Sequence, residues 1–140
     1  FVAGRDDVIG VLSPGSEGST FGGYPLASVV GVYAIKTLID QKLADNALIR
    51  GKQLMDGLRE IKNEFPNKIQ AVRGKGLLTA FEMYDESYLD GHLISVELLK
   101  QGIYAKETHS TTIRLAPALT ITDNKIIQLL DGVRQVIKNI

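Results

Sequence analysis

Apolar residues recur every three or four positions from Pro25 to about Lys42 (PLASVVGVYAIKTLIDQK): Leu26, Val29, Val30, Tyr33, Ala34, Leu38 and Ile39. That period predicts a helix, with Pro25 suited to its first turn. A second helical pattern runs from about Leu43 to Asn63, with Leu48, Leu54, Leu58 and Ile61 on one side and Arg50, Lys52, Arg59 and Lys62 largely off it. Phe65-Pro66-Asn67 ends it, because the residue before a proline avoids the helical region. The pattern then shortens. Ile69–Arg73 and Leu77–Met83 are apolar and strand-like, with Gly74 and Gly76 between them, and Asp85–Asp90 reads as a polar connection. His92–Lys100 returns to helical spacing through Leu93, Val96 and Leu99, with Gly102 placed as a closing glycine. Ile103–Lys106 and Thr112–Ala116 read as two more strands. A last helix begins at Asp123, capped by Thr122, with a buried stripe of Ile126, Leu130, Val133, Ile137 and Ile140.

The order is helix, helix, strand, strand, helix, strand, strand, helix. Strands grouped with covering helices predict an α+β fold, a two-layer sandwich of one small sheet and its helices. There is no internal repeat and no low-complexity segment.

Composition changes this picture little. A chain of 140 residues buries roughly two-thirds of its unfolded surface, enough for a real core. Hydrophobic residues make up 44% and charged ones 23%, and sixteen basic residues balance sixteen acidic ones. No net field favours nucleic acid or an anionic membrane. No apolar run is long enough to cross a bilayer, and FVAGRDDVIG does not resemble a signal peptide. The absence of cysteine excludes a disulfide framework and thiolate metal ligands, and it fits a cytoplasmic protein. Two isolated histidines do not make a metal site. The chain begins without Met, and its opening reads as a chain already inside a structure, which points to a fragment.

Chemistry concentrates first in Ser13–Gly23, SPGSEGSTFGG. Glycines allow close backbone approach, hydroxyls add donors, and the helix that follows offers free N–H groups and a partial positive charge, an arrangement suited to a phosphate or carboxylate. The stretch matches neither the dinucleotide fingerprint nor the P-loop, so the residues alone favour a turn leading into a helix. Arg114 sits among apolar residues of a strand, where a guanidinium can grip a carboxylate through two parallel bonds; the competing reading is a strand-edge arginine paired with a surface acid. Arg73 and Lys75 in the turn-like RGKG read as a solvated loop. His109 reads as a loop histidine, His92 has no partner nearby in sequence, and nothing supports proton transfer by Glu17.

The segment EGSTFGGYPLA resembles the GST-[FY]-GGNPL motif of the class III, fold-type I aminotransferases. AVRGKGLLTAFEM is similar to the family's VRGKGLL strand pair, and IRLAPALTIT to its IRFAPPLVI. These motifs occur in order over nearly the whole chain, and IYAKETH with the spacing around it fits the ornithine branch. Two positions depart: Tyr24 replaces the Asn of GGNPL, and Ala118 the second Pro of APPL.

The resemblance implies pyridoxal phosphate as cofactor, a homodimer, and an amino acid and a 2-oxo acid as small-molecule substrates. It implies that Thr20, supported by Ser19, contributes to the cofactor-phosphate site of the neighbouring subunit, and that Arg114 binds a substrate carboxylate. Residues 1–25 would end the cofactor-binding large domain, 26–45 would be a linking helix, and 46–140 the C-terminal small domain. None of the ten lysines stands in the family's cofactor-lysine motif, which belongs upstream of Phe1. The chain alone is therefore expected to have no catalytic residue and no turnover. The implied reaction passes the δ-amino group of ornithine to 2-oxoglutarate. The alternatives are acetylornithine or 4-aminobutyrate as donor, or a non-catalytic α+β domain for binding or assembly. In a fragment, Leu26, Val29 and Val30 would lack cover and drive association.

Overall fold

The computed structural model describes residues 3–84 and 90–140, so most of the expected 85–90 connection lies outside the described residues. Two compact units share the chain, Phe1–Thr37 and Leu38–Ile140. The first holds a single helical turn, α1 (Asp6–Ile9), and most of α2 (Pro25–Asp40). No residue of α2 is buried. The helix is apolar on nearly every side, with Leu26, Val29, Val30, Tyr33 and Ile39 all exposed.

The second unit continues through α3 (Leu43–Glu64), β1 (Ile69–Lys75), β2 (Leu78–Met83), α4 (Gly91–Lys100), β3 (Lys106–Thr108), β4 (Thr112–Leu115) and α5 (Asp123–Asn139). The strands form one antiparallel sheet in the order β1-β2-β4-β3. Side chains alternate across a strand. Accordingly Phe81, Met83, Ile113 and Leu115 are buried on one face and meet Leu54, Leu58 and Ile61 of α3, Ile94 and Leu98 of α4, and Ile126, Val133 and Ile137 of α5. Each such side chain, fully buried, contributes roughly 1.5–3 kcal/mol relative to exposure. The other face carries Arg73, Lys75, Leu78 and Arg114, all exposed. This is the expected two-layer α+β arrangement.

Several details differ from the sequence reading. Leu48 is exposed, because six residues of helix turn it about 240° from Leu54; the α3 stripe runs instead through Gly51, Leu54, Leu58 and Ile61. In α4 the expected residues Leu93, Val96 and Leu99 lie on the exposed side, and Ile94 and Leu98 face the core. Both sets have helical spacing, so periodicity alone does not choose between them. Arg73 and Lys75 belong to β1 rather than to a loop. The turn is the two-residue Gly76-Leu77, with Gly76 at φ 57°, a positive value at the first loop position as in a type II′ hairpin. The third strand begins only at Lys106. Residues 102 and 103 close α4 instead: Gly102 N–H donates to Leu99 O and Ile103 N–H to Leu98 O, both at 2.9 Å, the Schellman pattern. Thr122 precedes α5 in extended backbone, but its side chain makes no capping bond. In α5, Leu130 is only partly buried, as is Ile140 just beyond its end, and Gly132 and Val136 join Ile126, Val133 and Ile137 in the stripe.

α3 lies so close to the β1–β2 hairpin that a Cβ at Gly51 would fall 2.2 Å from the carbonyl carbon and oxygen of Gly76. Backbone cannot yield as a flexible side chain can. Gly51→Ala is therefore expected to destabilise the protein by about 1–3 kcal/mol, the usual cost of overpacking, measured by urea unfolding. The β3–β4 turn carries the opposite opportunity. His109 and Ser110 both adopt left-handed backbone, at φ 54° and 63°, which costs a non-glycine residue about 1–2 kcal/mol. Ser110→Gly is expected to stabilise by about 0.5–1 kcal/mol in the same measurement, the gain being reduced by glycine's greater freedom in the unfolded chain.

Candidate functional site

The glycine-rich segment folds as two successive turns. Gly22 N–H donates to Ser19 O and Tyr24 N–H to Phe21 O, each at 3.1 Å. Gly23 occupies the third position of the second turn at φ 73°, a conformation that favours glycine. Pro25 then opens α2, and the first intrahelical acceptor is Tyr24 O, which receives Ser28 N–H at 3.0 Å and Ser28 Oγ at 3.1 Å. Pro25 has no N–H, so Leu26 and Ala27 present the unpaired amides of the first turn. Ser19 and Thr20 are exposed just upstream. Their hydroxyls, the amides of the first turn and side-chain-free backbone at Gly22 and Gly23 fit the donor chemistry a phosphate needs. Glu17 is also exposed.

Arg114 belongs to the second unit. It sits in β4, a central strand, so it is not the edge arginine that the sequence allowed. The register β4 keeps with β2 turns it to the open face while Ile113 and Leu115 face the core. Among the described residues no carboxylate lies within ion-pair distance of it. It borders a recess of about 410 Å³ with Arg73, Lys75, Ala80, Thr108 and Thr112. A larger recess of about 590 Å³, bordered by Tyr104, Pro117, Lys125 and Gln128, contains none of the expected site residues.

The remaining candidates are accounted for locally. Arg73 forms an ion pair with Glu82 and donates to Thr112 Oγ1 at 3.2 Å. His92, without a partner in sequence, is brought 3.8 Å from the Glu107 carboxylate. That carboxylate is held below the usual range first by its own backbone N–H and then by the Lys106 ammonium at 3.2 Å. His109 occupies the strained turn. Lys106, to which the sequence reading gives no role, is set directly opposite Arg114 by β3–β4 pairing. The signal was available: the two residues lie equally far on either side of Ser110, near the centre of the turn.

The Aminotransferase class-III family profile matches residues 1–137. The chain is 40% identical over 124 residues to a mitochondrial ornithine aminotransferase of Oryza sativa subsp. japonica, covering 87% of this chain and 26% of that protein. It is 39% identical over 127 residues to the acetylornithine aminotransferase of a Synechocystis strain, covering 91% and 30%. A crystal structure of the ornithine aminotransferase from Toxoplasma gondii superposes with a TM-score of 0.84 at 39% identity, covering 97% of this chain and 32% of that one. The chain thus spans about a quarter to a third of the length of such relatives.

Tyr24 precedes the first helical residue, the position where a side-chain oxygen normally accepts an N–H of the first turn. A tyrosine ring cannot fold back to do this, whereas the asparagine of the related motif can. Tyr24→Asn is expected to stabilise the start of α2 by about 0.5–1 kcal/mol, read as slower hydrogen exchange at Ala27 and Ser28.

Proposed function

Because this chain belongs to the class-III aminotransferase family, we propose that it is the C-terminal part of an ornithine–2-oxo-acid aminotransferase that uses pyridoxal phosphate. The observation that carries the reading is Arg114: a guanidinium on the open face of a central strand, beside a recess and without a carboxylate partner among the described residues. Two parallel charge-assisted bonds from it orient a substrate carboxylate. Residues 1–25 end the cofactor-binding domain, 26–45 link it to the rest, and 46–140 form the small domain that helps exclude water from the reaction. The hydroxyls of Thr20 and Ser19, with the free amides at the start of α2, donate to the cofactor phosphate across a homodimer interface. The cofactor supplies, when bound, the electron sink for amino transfer. Ornithine gives up its δ-amino group and 2-oxoglutarate receives it. The lysine that would carry the cofactor lies in the part of the relatives that this chain does not span. A cytoplasmic location belongs to the same proposal; the cysteine-free composition accords with it.

The test joins this chain to the remainder of a relative's length and assays glutamate formation from 2-oxoglutarate with ornithine, acetylornithine and 4-aminobutyrate in parallel. Ornithine is expected to be the preferred donor; a preference for either of the others reassigns the substrate. Loss of one charge-assisted bond at about 1.5–3 kcal/mol corresponds to roughly 10–100-fold. Thr20→Ala should weaken cofactor affinity by about that factor, and Arg114→Gln should raise the KM for 2-oxoglutarate similarly. The 140-residue chain alone is expected to show no turnover, and measurable transfer by it would overturn the proposed division of the active site.

A further inference from the structure

We propose that Arg73 is a positioning residue for Arg114: by engaging the Glu82 carboxylate, it leaves the Arg114 guanidinium free to receive a ligand carboxylate. This rests on the reading of Arg114 above and adds the reason why that guanidinium stands free.

The argument comes from sheet register. On the open face, Ala80 of β2 pairs with Arg73 of β1 on one side and with Arg114 of β4 on the other. Glu82 lies two residues further along β2 on the same face, opposite Thr112. It is therefore the diagonal neighbour of both arginines, by the same register step, and long side chains reach across such a diagonal. Of the two acids in the strands, Glu107 pairs instead with core-facing Ile113. One carboxylate thus stands between two guanidinium groups, and Coulomb attraction draws it to whichever is free.

The structure shows which it takes. Glu82 forms its ion pair with Arg73. Arg73 also donates through Nη2 to Thr112 Oγ1 at 3.2 Å. A side chain rooted on edge strand β1 therefore crosses β2 and ends on β4. Ala80, directly opposite Arg73, presents only a methyl group to that crossing. Thr112 is 5% exposed although its register puts it on the open face, as a guanidinium lying over it requires. Two contacts, one to each member of the Glu82–Thr112 pair, fix Arg73 there and hold the carboxylate with it. Lys75 is no substitute. It pairs with Leu78, four residues from Glu82 along β2, a separation of about 13 Å. Without Arg73, the nearest cation to Glu82 by register is Arg114 itself.

The experiment follows the side-chain Nε–H signals of Arg73 and Arg114 in ¹H–¹⁵N spectra of the 140-residue chain. Sodium acetate replaces sodium chloride at constant ionic strength, since exposed charges are screened by salt. In the unsubstituted chain, acetate is expected to give a saturable shift at Arg114. In Arg73→Gln, Glu82 turns to Arg114, so the Arg114 Nε–H exchanges more slowly with solvent. Acetate then binds roughly three- to fivefold more weakly, the scale of an exposed charge pair. Adding Glu82→Gln to Arg73→Gln should return exchange and affinity to within about twofold of the unsubstituted chain, because the loss of Arg73 acts through Glu82. Arg73→Lys, which keeps a cation for Glu82, should stay within the same limit. Unchanged exchange or unchanged acetate affinity in Arg73→Gln would overturn the proposal. So would a double variant as weak as Arg73→Gln alone, since Arg73 would then be touching the ligand directly. A failed rescue of this kind removes the role of Arg73 and leaves the reading of Arg114 in place, whereas no saturable shift at Arg114 in the unsubstituted chain removes both. No cofactor or amino donor enters the titration, so its outcome is independent of the transamination assay.

Discussion

The antiparallel pairing of β2 with β4 is the constraint on which the rest of the second unit depends. It lies at the centre of the sheet, and the strict alternation of its side chains divides the unit into two environments. Phe81, Met83, Ile113 and Leu115 go to the helices, and Ala80, Glu82, Thr112 and Arg114 go to the other face. A slip of one residue in β4 would exchange the two sets, burying a guanidinium and exposing Ile113 and Leu115. The loss of that burial, added to the cost of desolvating an unpaired charge, makes the slipped register untenable. Core packing thus fixes where Arg114 points. The site needs no separate device to aim it.

The same logic explains why the helices supply so little chemistry here. α3, α4 and α5 cover one face of the sheet, and their charged residues pair either along their own helix, as Lys52 and Arg59 do with Asp56, or between helices, as Arg134 does with Glu64. Arg50 of α3 pairs with Asp123 at the start of α5. Asn46 Nδ2 donates to the carbonyls of Leu119 at 2.7 Å and Ile121 at 3.1 Å, holding the segment that follows β4. Lys68 Nζ reaches Ile137 O at 2.8 Å, so a cation meets the carbonyl end of α5. These contacts anchor the segments flanking β1 and β4; on the open face, among the described residues, Arg73 is paired with Glu82 and Lys106 with Glu107, while Arg114 has no carboxylate partner. α2, in the first unit, is different in kind: a helix apolar on nearly all sides, with no buried residue, has the composition of a helix that packs inside a larger body.

How far the sequence could be read depended on whether one physical rule was enough. Element type and order followed from periodicity, because long amphipathic helices and short alternating strands leave distinct marks in the chain. The choice of buried face in α4 did not, since Leu93, Val96 and Leu99 compete with Ile94 and Leu98 at the same spacing and only tertiary packing decides between them. The RGKG segment departs from its loop-like pattern for a related reason. Glycine marks a turn by default, yet Gly74 lies within β1 and only Gly76 forms the turn. The glycine-rich segment and Arg114 stand out as candidates by their own chemistry, and motif resemblance attaches the particular roles to Thr20, Ser19 and Arg114 that periodicity cannot. His92 and Glu107, fifteen positions apart, could be joined only by the fold.

Lys106 shows what lies between these cases. It belongs to no resemblance to which a role was attached, and its charge alone is unremarked in a chain with sixteen basic residues. Its position is nonetheless implied once β3 and β4 are recognised as a hairpin, because residues equally distant from the turn centre must pair. Chemistry encoded in register is invisible to a scan for motifs and invisible to a count of charges, yet it follows from the same alternation that buries Ile113. The residues that pack the core and the residues that would meet a carboxylate are thus two readings of one pattern, and a substitution that shifts the pairing of β4 would disturb both together.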